Sequence, residues 1–200
     1  MMSVLIYIGV MILAYFIGNL SSARFIAKTF RHLKICKIGT GRPDTENIYK
    51  NVSKSLGILV GLLDFLKVYV FLALTDYLFS YFEITKKLAT PSHIFIFGVM
   101  MILGHVFPLI HKFIGGRGIF HYIAVMAYFA FYPLVIVAVL IAVTLLIFKQ
   151  LRFSQYMIVL LPPLVNLFFN STKAIETRLI LLALFMGVLN FIGSKQRGEL

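Results

Sequence analysis

Acidic residues are scarce in this sequence: seven Asp and Glu among 200 residues, against nineteen Lys and Arg. Charge of either sign makes up only 13% of the chain, where a soluble domain carries about 25%. Cysteine is nearly absent. The single Cys36 excludes an internal disulfide and has no partner nearby for a metal cluster. There is no His-Glu-x-x-His zinc helix and no Gly-x-Ser-x-Gly nucleophile elbow. None of His32, His93, His105, His111 or His121 is followed five residues later by an aspartate, which excludes the His-x-x-x-x-Asp arrangement of soluble acyltransferases. No segment repeats at a fixed period, and no low-complexity tail or separable soluble domain stands out.

What fills the space is apolar sequence, 60% of the chain. It falls into long blocks nearly free of charge, such as Ser3–Leu20, His93–Ile110, Ile119–Phe148 and Arg178–Gly193. A bilayer core asks for about 20 mostly apolar residues per helix, and blocks near that length recur along the chain. The pattern predicts an all-α, polytopic transmembrane helix bundle forming a single domain over residues 1–200. The spans lie near 3–20, 56–82, 93–111, 119–132, 134–148, 156–170 and 177–193, about seven in all. The fourth and fifth are short and meet at Tyr132–Pro133, so they form either a tight hairpin or one kinked helix. The first block lacks a basic leader and a small-residue cleavage pattern, so it is expected to stay as a retained span.

A formal charge of +12 raises nucleic acid as a partner, but membrane topology accounts for it better. Eight cations crowd the 23–54 loop: Arg24, Lys28, Arg31, Lys34, Lys37, Arg42, Lys50 and Lys54. Basic loops stay on the cytoplasmic side. The N-terminus is then outside, and an odd number of spans puts the C-terminus in the cytoplasm. No nucleic acid is expected as a partner; membrane lipids are.

Four local features carry possible chemistry. Gly39-Thr40-Gly41-Arg42-Pro43-Asp44-Thr45-Glu46-Asn47 reads as an ordinary Gly/Pro/Asp turn or as a cradle of backbone N–H groups around an anion, with Lys37, Arg42 and Lys50 at hand. Phe113-Ile114-Gly115-Gly116-Arg117-Gly118 invites a similar approach, helped by a helix start near Gly118. Asp64 and Lys67 lie three apart on one helix face, as an intramembrane ion pair or a functional one. His105, in Gly104-His105-Val106-Phe107-Pro108, either packs a helix end or serves the nearby glycine turn.

Taken together, these motifs resemble the bacterial integral-membrane glycerol-3-phosphate acyltransferases that draw their acyl group from acyl phosphate. That family has a Gly-Ser-x-x-x-x-Gly opening, a Gly-Ser-Gly-Asn-x-Gly-Ala-Thr-Asn loop, Asp-x-Leu-Lys-Gly, Gly-His-x-x-Pro, Phe-x-Gly-Gly-Lys-Gly and a closing Arg-His-x-x-Asn-Ile-x-Arg. This chain has Gly18-Asn19-Leu20-Ser21-Ser22, then Gly39 to Asn47, Asp64-Phe65-Leu66-Lys67, Gly104 to Pro108 and Phe113 to Gly118, in the same order. It departs where Thr40 replaces the serine, Arg42 the asparagine, Asp44-Thr45-Glu46 the Gly-Ala-Thr, Lys50 an arginine and Arg117 the lysine. With Arg197 set as the last arginine of the closing motif, Phe191 and Ser194 occupy its histidine and asparagine positions.

The resemblance implies acyl transfer from acyl phosphate to glycerol 3-phosphate, giving lysophosphatidic acid in phospholipid synthesis at the bacterial inner membrane, on its cytoplasmic side. It implies catalytic roles for Thr40, Lys50 and Arg117, and phosphate or substrate contacts from Ser21, Gly39, Gly41, Arg42, Asn47, His105, Gly115, Gly116 and Gly118. Asp64 and Lys67 are expected as structural, intramembrane charges, and no cofactor or metal is expected. The alternatives are a non-catalytic relative that binds lipid or phosphate, and a small membrane transporter.

Overall fold

A computed structural model describes residues 2–149, 151–169 and 172–195. Among the described residues the chain is all-helical, with nine α-helices and no strand. These are α1 (Met2–Asn19), α2 (Ser22–Arg31), α3 (Thr45–Asn51), α4 (Lys54–Tyr81), α5 (Pro91–Val106), α6 (Ile119–Phe129), α7 (Phe131–Phe148), α8 (Leu151–Asn166) and α9 (Lys173–Lys195). The chain is a multi-pass membrane protein. Five stretches are long and apolar enough to cross a bilayer: Met2–Arg31, Lys54–Tyr81, Pro91–His111, Phe131–Phe148 and Lys173–Ile192.

The seven expected segments all coincide with helices, but two do not reach spanning length. Helix α6 has 11 residues, about 16 Å of rise, and α8 has 16 residues, about 24 Å, against a hydrocarbon core of roughly 30 Å. The break between the fourth and fifth segments falls at Ala130, not at Pro133. Pro133 is the third residue of α7, inside the first turn, where a missing N–H costs no helical bond. The first bond of α7 runs from the Leu134 amide to the Ala130 carbonyl, 3.1 Å.

The chain divides into two compact units, residues 1–121 and 122–200. In the first, α4 shows why these helices suit lipid. Gly57, Val60, Gly61, Asp64, Val68, Leu72, Thr75 and Phe79 recur every three or four residues on its buried face. The opposite face presents Ile58, Leu62, Leu66, Val70 and Leu74. A helix apolar all round belongs in hydrocarbon or a large core. At 28 residues α4 is about 42 Å long, so it projects beyond a hydrocarbon core of roughly 30 Å.

That projection is what the basic loop folds on. Ala23, Ile26 and Ala27 of α2, Ile35, Ile48 of α3 and Val60 of α4 form one buried cluster, with Cys36, Ile38, Val52, Leu56 and Leu59 packed around it. Helix α2 thus hides small apolar residues on one face and carries Arg24, Lys28 and Arg31 elsewhere on its surface. Helices α1 and α5 meet along glycines. A Cβ on Gly18 would run into the Met101 backbone, and one on Gly104 into the Tyr15 carbonyl. Only small residues permit so close a crossing.

In the second unit, α7 packs on α8 and α8 on α9. The Tyr122 hydroxyl donates to the Val159 carbonyl at 2.6 Å, tying the first turn of α6 to α8.

Candidate active site

The first glycine turn is organised by one amide. Asn47 is buried, and its Nδ2 donates to the carbonyls of Arg42 (2.8 Å) and Ile38 (2.9 Å), with Ile35 at 3.4 Å. Its Oδ1 accepts from the Thr40 amide (3.3 Å) and from Asn51 Nδ2 (2.9 Å). Four of these five contacts hold residues 35–42 in place, and the fifth ties Asn47 to Asn51. The turn closes through Asp44, whose Oδ1 accepts the Asn47 amide at 3.0 Å and so caps α3. Thr40 is partly exposed, and its Oγ1 accepts the Arg42 amide at 3.4 Å. Gly39 and Gly41 both have positive φ, 54° and 68°.

The second glycine turn lies directly against the first. Gly116 is wedged between the His105 ring and the Pro43–Asp44 backbone; an added Cβ would strike the ring and come within 3.0 Å of Asp44 Cβ and 3.1 Å of the Pro43 carbonyl. Gly115 is pressed in the same way on the His105 and Val106 carbonyls, and the Gly116 amide donates to the His105 carbonyl at 3.2 Å. Arg24 Nη2 reaches across from α2 to the Ile114 carbonyl at 2.5 Å. No side chain larger than hydrogen fits at Gly116, so the motif is set by packing.

Charges from both turns then meet. Glu46, in the first turn of α3, pairs with Lys50 one turn on, 2.5 Å, and with Arg117 from the second glycine turn. Arg42 and Asp44 are both buried. Burial pushes the Asp44 carboxyl pKa up, opposed by the Arg117 charge, the Asn47 amide, the Arg42 charge and the Arg117 amide. Three cations, Arg42, Lys50 and Arg117, thus stand with two carboxylates, Asp44 and Glu46. A phosphate group fits such a locus by exchanging with a carboxylate for the same donors.

The remaining expected residues are placed differently. The Ser21 side chain caps α2, accepting the Arg24 amide at 3.3 Å. Its neighbour Ser22, not singled out from sequence, donates to Asp64 Oδ1 at 2.7 Å. Lys67 pairs with that same oxygen at 3.0 Å and donates to the Leu20 carbonyl at 2.6 Å. His105 is buried behind Gly116 rather than open to the turn's outer side. Asp44 and Glu46, present in the first glycine motif, and His121 had been given no site role from the sequence. The i,i+4 spacing of Glu46 and Lys50 was the one signal available for Glu46. Phe191, at the histidine position of the closing motif, is exposed on α9, and Arg197 lies outside the described residues.

A family model described as glycerol-3-phosphate acyltransferase matches residues 8–197. The chain belongs to that family. A glycerol-3-phosphate acyltransferase of Pelagibacter ubique is 28% identical over 169 residues, 84% of this chain and 83% of that protein. One of Mycoplasma mycoides is 32% identical over 116 residues, 56% of this chain but only 44% of the relative's length. The fold is similar to the crystal structure of PlsY (YgiH), an integral membrane glycerol 3-phosphate acyltransferase, in its glycerol 3-phosphate form. The TM-score is 0.76 at 19% identity, over 95% of this chain and 88% of that one.

Proposed function

We propose that this family member is a membrane acyltransferase that moves a fatty acyl group from acyl phosphate to glycerol 3-phosphate, forming lysophosphatidic acid. The observation that carries the reading is the convergence of the two glycine turns, with Arg42, Lys50 and Arg117 brought to one locus by segments some 70 residues apart. Both substrates bear phosphate, and the surrounding bundle is apolar, which suits a lipid donor. Each buried methylene of an acyl chain is worth about 0.8 kcal/mol, enough in sum to hold the donor at the bilayer edge.

Acyl phosphate is already activated, so no protein nucleophile is needed. The primary hydroxyl oxygen of glycerol 3-phosphate attacks the acyl carbon, a new C–O ester bond forms, and the acyl C–O bond to phosphate breaks. The hydroxyl proton leaves on the released phosphate. In this reading Arg117, Lys50 and backbone amides of residues 39–41 hold the phosphates and the developing oxyanion, while Thr40 orients a substrate oxygen. Substrate phosphate takes the place of Glu46 on Arg117 and Lys50. Asn47, His105 and the glycines Gly115, Gly116 and Gly118 act as positioning residues behind the contact groups.

The loop is assigned to the cytoplasmic side of a bacterial inner membrane, with the N-terminus outside. Five spans or seven, both odd, leave the chain's two ends on opposite sides. The family match running through both compact units supports reading residues 1–200 as one domain.

A second reading has its own observation. Glu46 neutralises two of the three cations, and Phe191 holds the histidine position of the closing motif. Both favour a relative that binds lipid phosphate without turnover. Purified protein in detergent, given acyl phosphate and labelled glycerol 3-phosphate, separates the two. Labelled lysophosphatidic acid supports the transferase; saturable binding with no product supports the binder.

A further inference from the structure

Behind the glycine turn lies a polar cluster of which the acyl-transfer reading uses only His105, as a positioning residue. Asp64 of α4, His105 of α5 and His121 of α6 each offer one ligand atom, and these atoms lie within 4.8 Å of one another. All three residues are buried, at 2%, 5% and 0% exposure. The two imidazole rings lie close and tilted, ring centres 4.0 Å apart and planes inclined by 36°. Neither ring nitrogen of His121 has a hydrogen-bond partner. Buried polar groups are normally satisfied, so a fully enclosed imidazole with two idle nitrogens points to something that it binds.

We propose that Asp64, His105 and His121 bind a divalent transition-metal ion of the zinc type. Two imidazole nitrogens and one carboxylate oxygen match the three-ligand set of an open tetrahedral zinc site, whose fourth position takes water or an anion. Magnesium and calcium demand oxygen-rich shells that these residues cannot supply. The carboxylate is already oriented: Ser22 and Lys67 both engage Oδ1, at 2.7 and 3.0 Å, which leaves Oδ2 for the ion. Such outer partners are what fix ligands in protein metal sites. Lys67 keeps its second anchor, the Leu20 carbonyl. Ligand atoms around zinc lie about 3.3 Å apart for bonds near 2.0 Å, so binding draws these atoms, now within 4.8 Å of one another, closer together by side-chain rotation.

The ion ties together α4, α5 and α6, and through His105 it braces Gly116 and the turn carrying Arg117. The site stands independently of whether that turn transfers acyl groups.

The test uses the full chain in detergent, purified through a tag without histidines, stripped with chelator and reloaded with Zn²⁺ or Co²⁺. Mass spectrometry is expected to find about one ion per chain, and Co²⁺ to show the intense visible bands of four-coordinate geometry. His121→Phe keeps a planar aromatic ring, slightly larger than imidazole, and removes the ligand. It is expected to lose the Co²⁺ bands, weaken binding at least about tenfold, and lack the Zn²⁺-dependent rise in Tm expected of the unsubstituted chain. Asp64→Asn should weaken binding similarly. Negligible metal on the reloaded chain, or equal metal and an equal Co²⁺ spectrum on His121→Phe, would overturn the site and leave a histidine pair that hosts water at most.

Discussion

Arg117, from the turn ahead of α6, forms an ion pair with Glu46 of α3, and the same carboxylate holds Lys50. The family pattern has a lysine at the first position and no acidic residue at the second, so both partners are departures and they meet each other. The pair couples the two glycine turns and, in the proposed acyl transfer, sets the charge that an incoming phosphate would meet. Glu46→Gln removes that competition. It should lower the KM for glycerol 3-phosphate, or the Kd for inorganic phosphate, by roughly two- to fivefold, in keeping with one ion pair at a partly exposed site. An unchanged or higher constant would separate Glu46 from the anion locus.

Arg117→Ala should reduce acyl transfer by at least about a hundredfold, the scale of losing one charged stabiliser of a developing oxyanion. Arg117→Lys should recover part of the rate, because it restores charge without the planar fork. Initial rates with saturating acyl phosphate make the comparison, and full activity in the alanine variant would remove Arg117 from the chemistry.

Gly116→Ala places a methyl group against the His105 ring, Asp44 Cβ and the Pro43 carbonyl. Overpacking of this kind costs about 1–3 kcal/mol, and the two turns should move apart. Both a lowered Tm and a lost rate are expected. Gly9→Ala is the control: nothing lies within 4 Å of the added carbon on α1, and alanine is the better helix former by up to about 1 kcal/mol. Equal behaviour of the two variants would contradict the packing account.

Asn47→Ala leaves the Ile38 and Arg42 carbonyls and the Thr40 amide without their shared partner. Unmet buried groups cost about 1–3 kcal/mol. Asn47→Asp keeps the acceptor and loses the donors, so it should fall between. Thermal unfolding of the three proteins gives the order, and protease cleavage within residues 35–44 reports the loop directly.

Asp44 gives a pH dependence with a definite sign. Its pKa is raised in the folded chain, mainly by burial. Its contribution is therefore fully present below the ordinary carboxylate pKa of about 3.9 and is lost as pH rises through the elevated folded value. Asp44→Asn retains a capping side chain and removes the titration. The stability of the unsubstituted chain relative to Asp44→Asn should decline from acidic toward neutral pH, followed as Tm in detergent across that range. A flat difference would show that Arg117 and Arg42 cancel the burial effect.

The membrane fold was legible in the sequence because a bilayer imposes its demand locally: each span must be apolar over its own length. The apolar blocks marked α1, α4, α5, α7 and α9, and even the short α6 and α8. The glycine turns were legible for the same local reason. Their residues are neighbours in the chain, and Gly, Pro and Asp punctuate backbone whatever surrounds them. The span count was not, because whether 11 residues suffice depends on where Ala130 breaks the helix rather than on hydropathy.

Pairings between segments could not be read in advance. Glu46 and Arg117 lie 71 positions apart, and no periodicity relates them. Asp64, His105 and His121 come from three helices, so no ligand spacing of the kind that marks a zinc motif could announce them. Helix packing decides such contacts, and packing depends on which small residues let backbones touch, Gly18 on Met101 and Gly104 on Tyr15 among them. The sequence by itself determined that the chain is an apolar helix bundle with a cationic loop and two glycine turns, since these are properties of contiguous residues. Only the tertiary structure decided that the turns share Glu46, that Asn47 faces inward, and that two histidines and an aspartate close on one point, because each needs segments that only the folded bundle brings together.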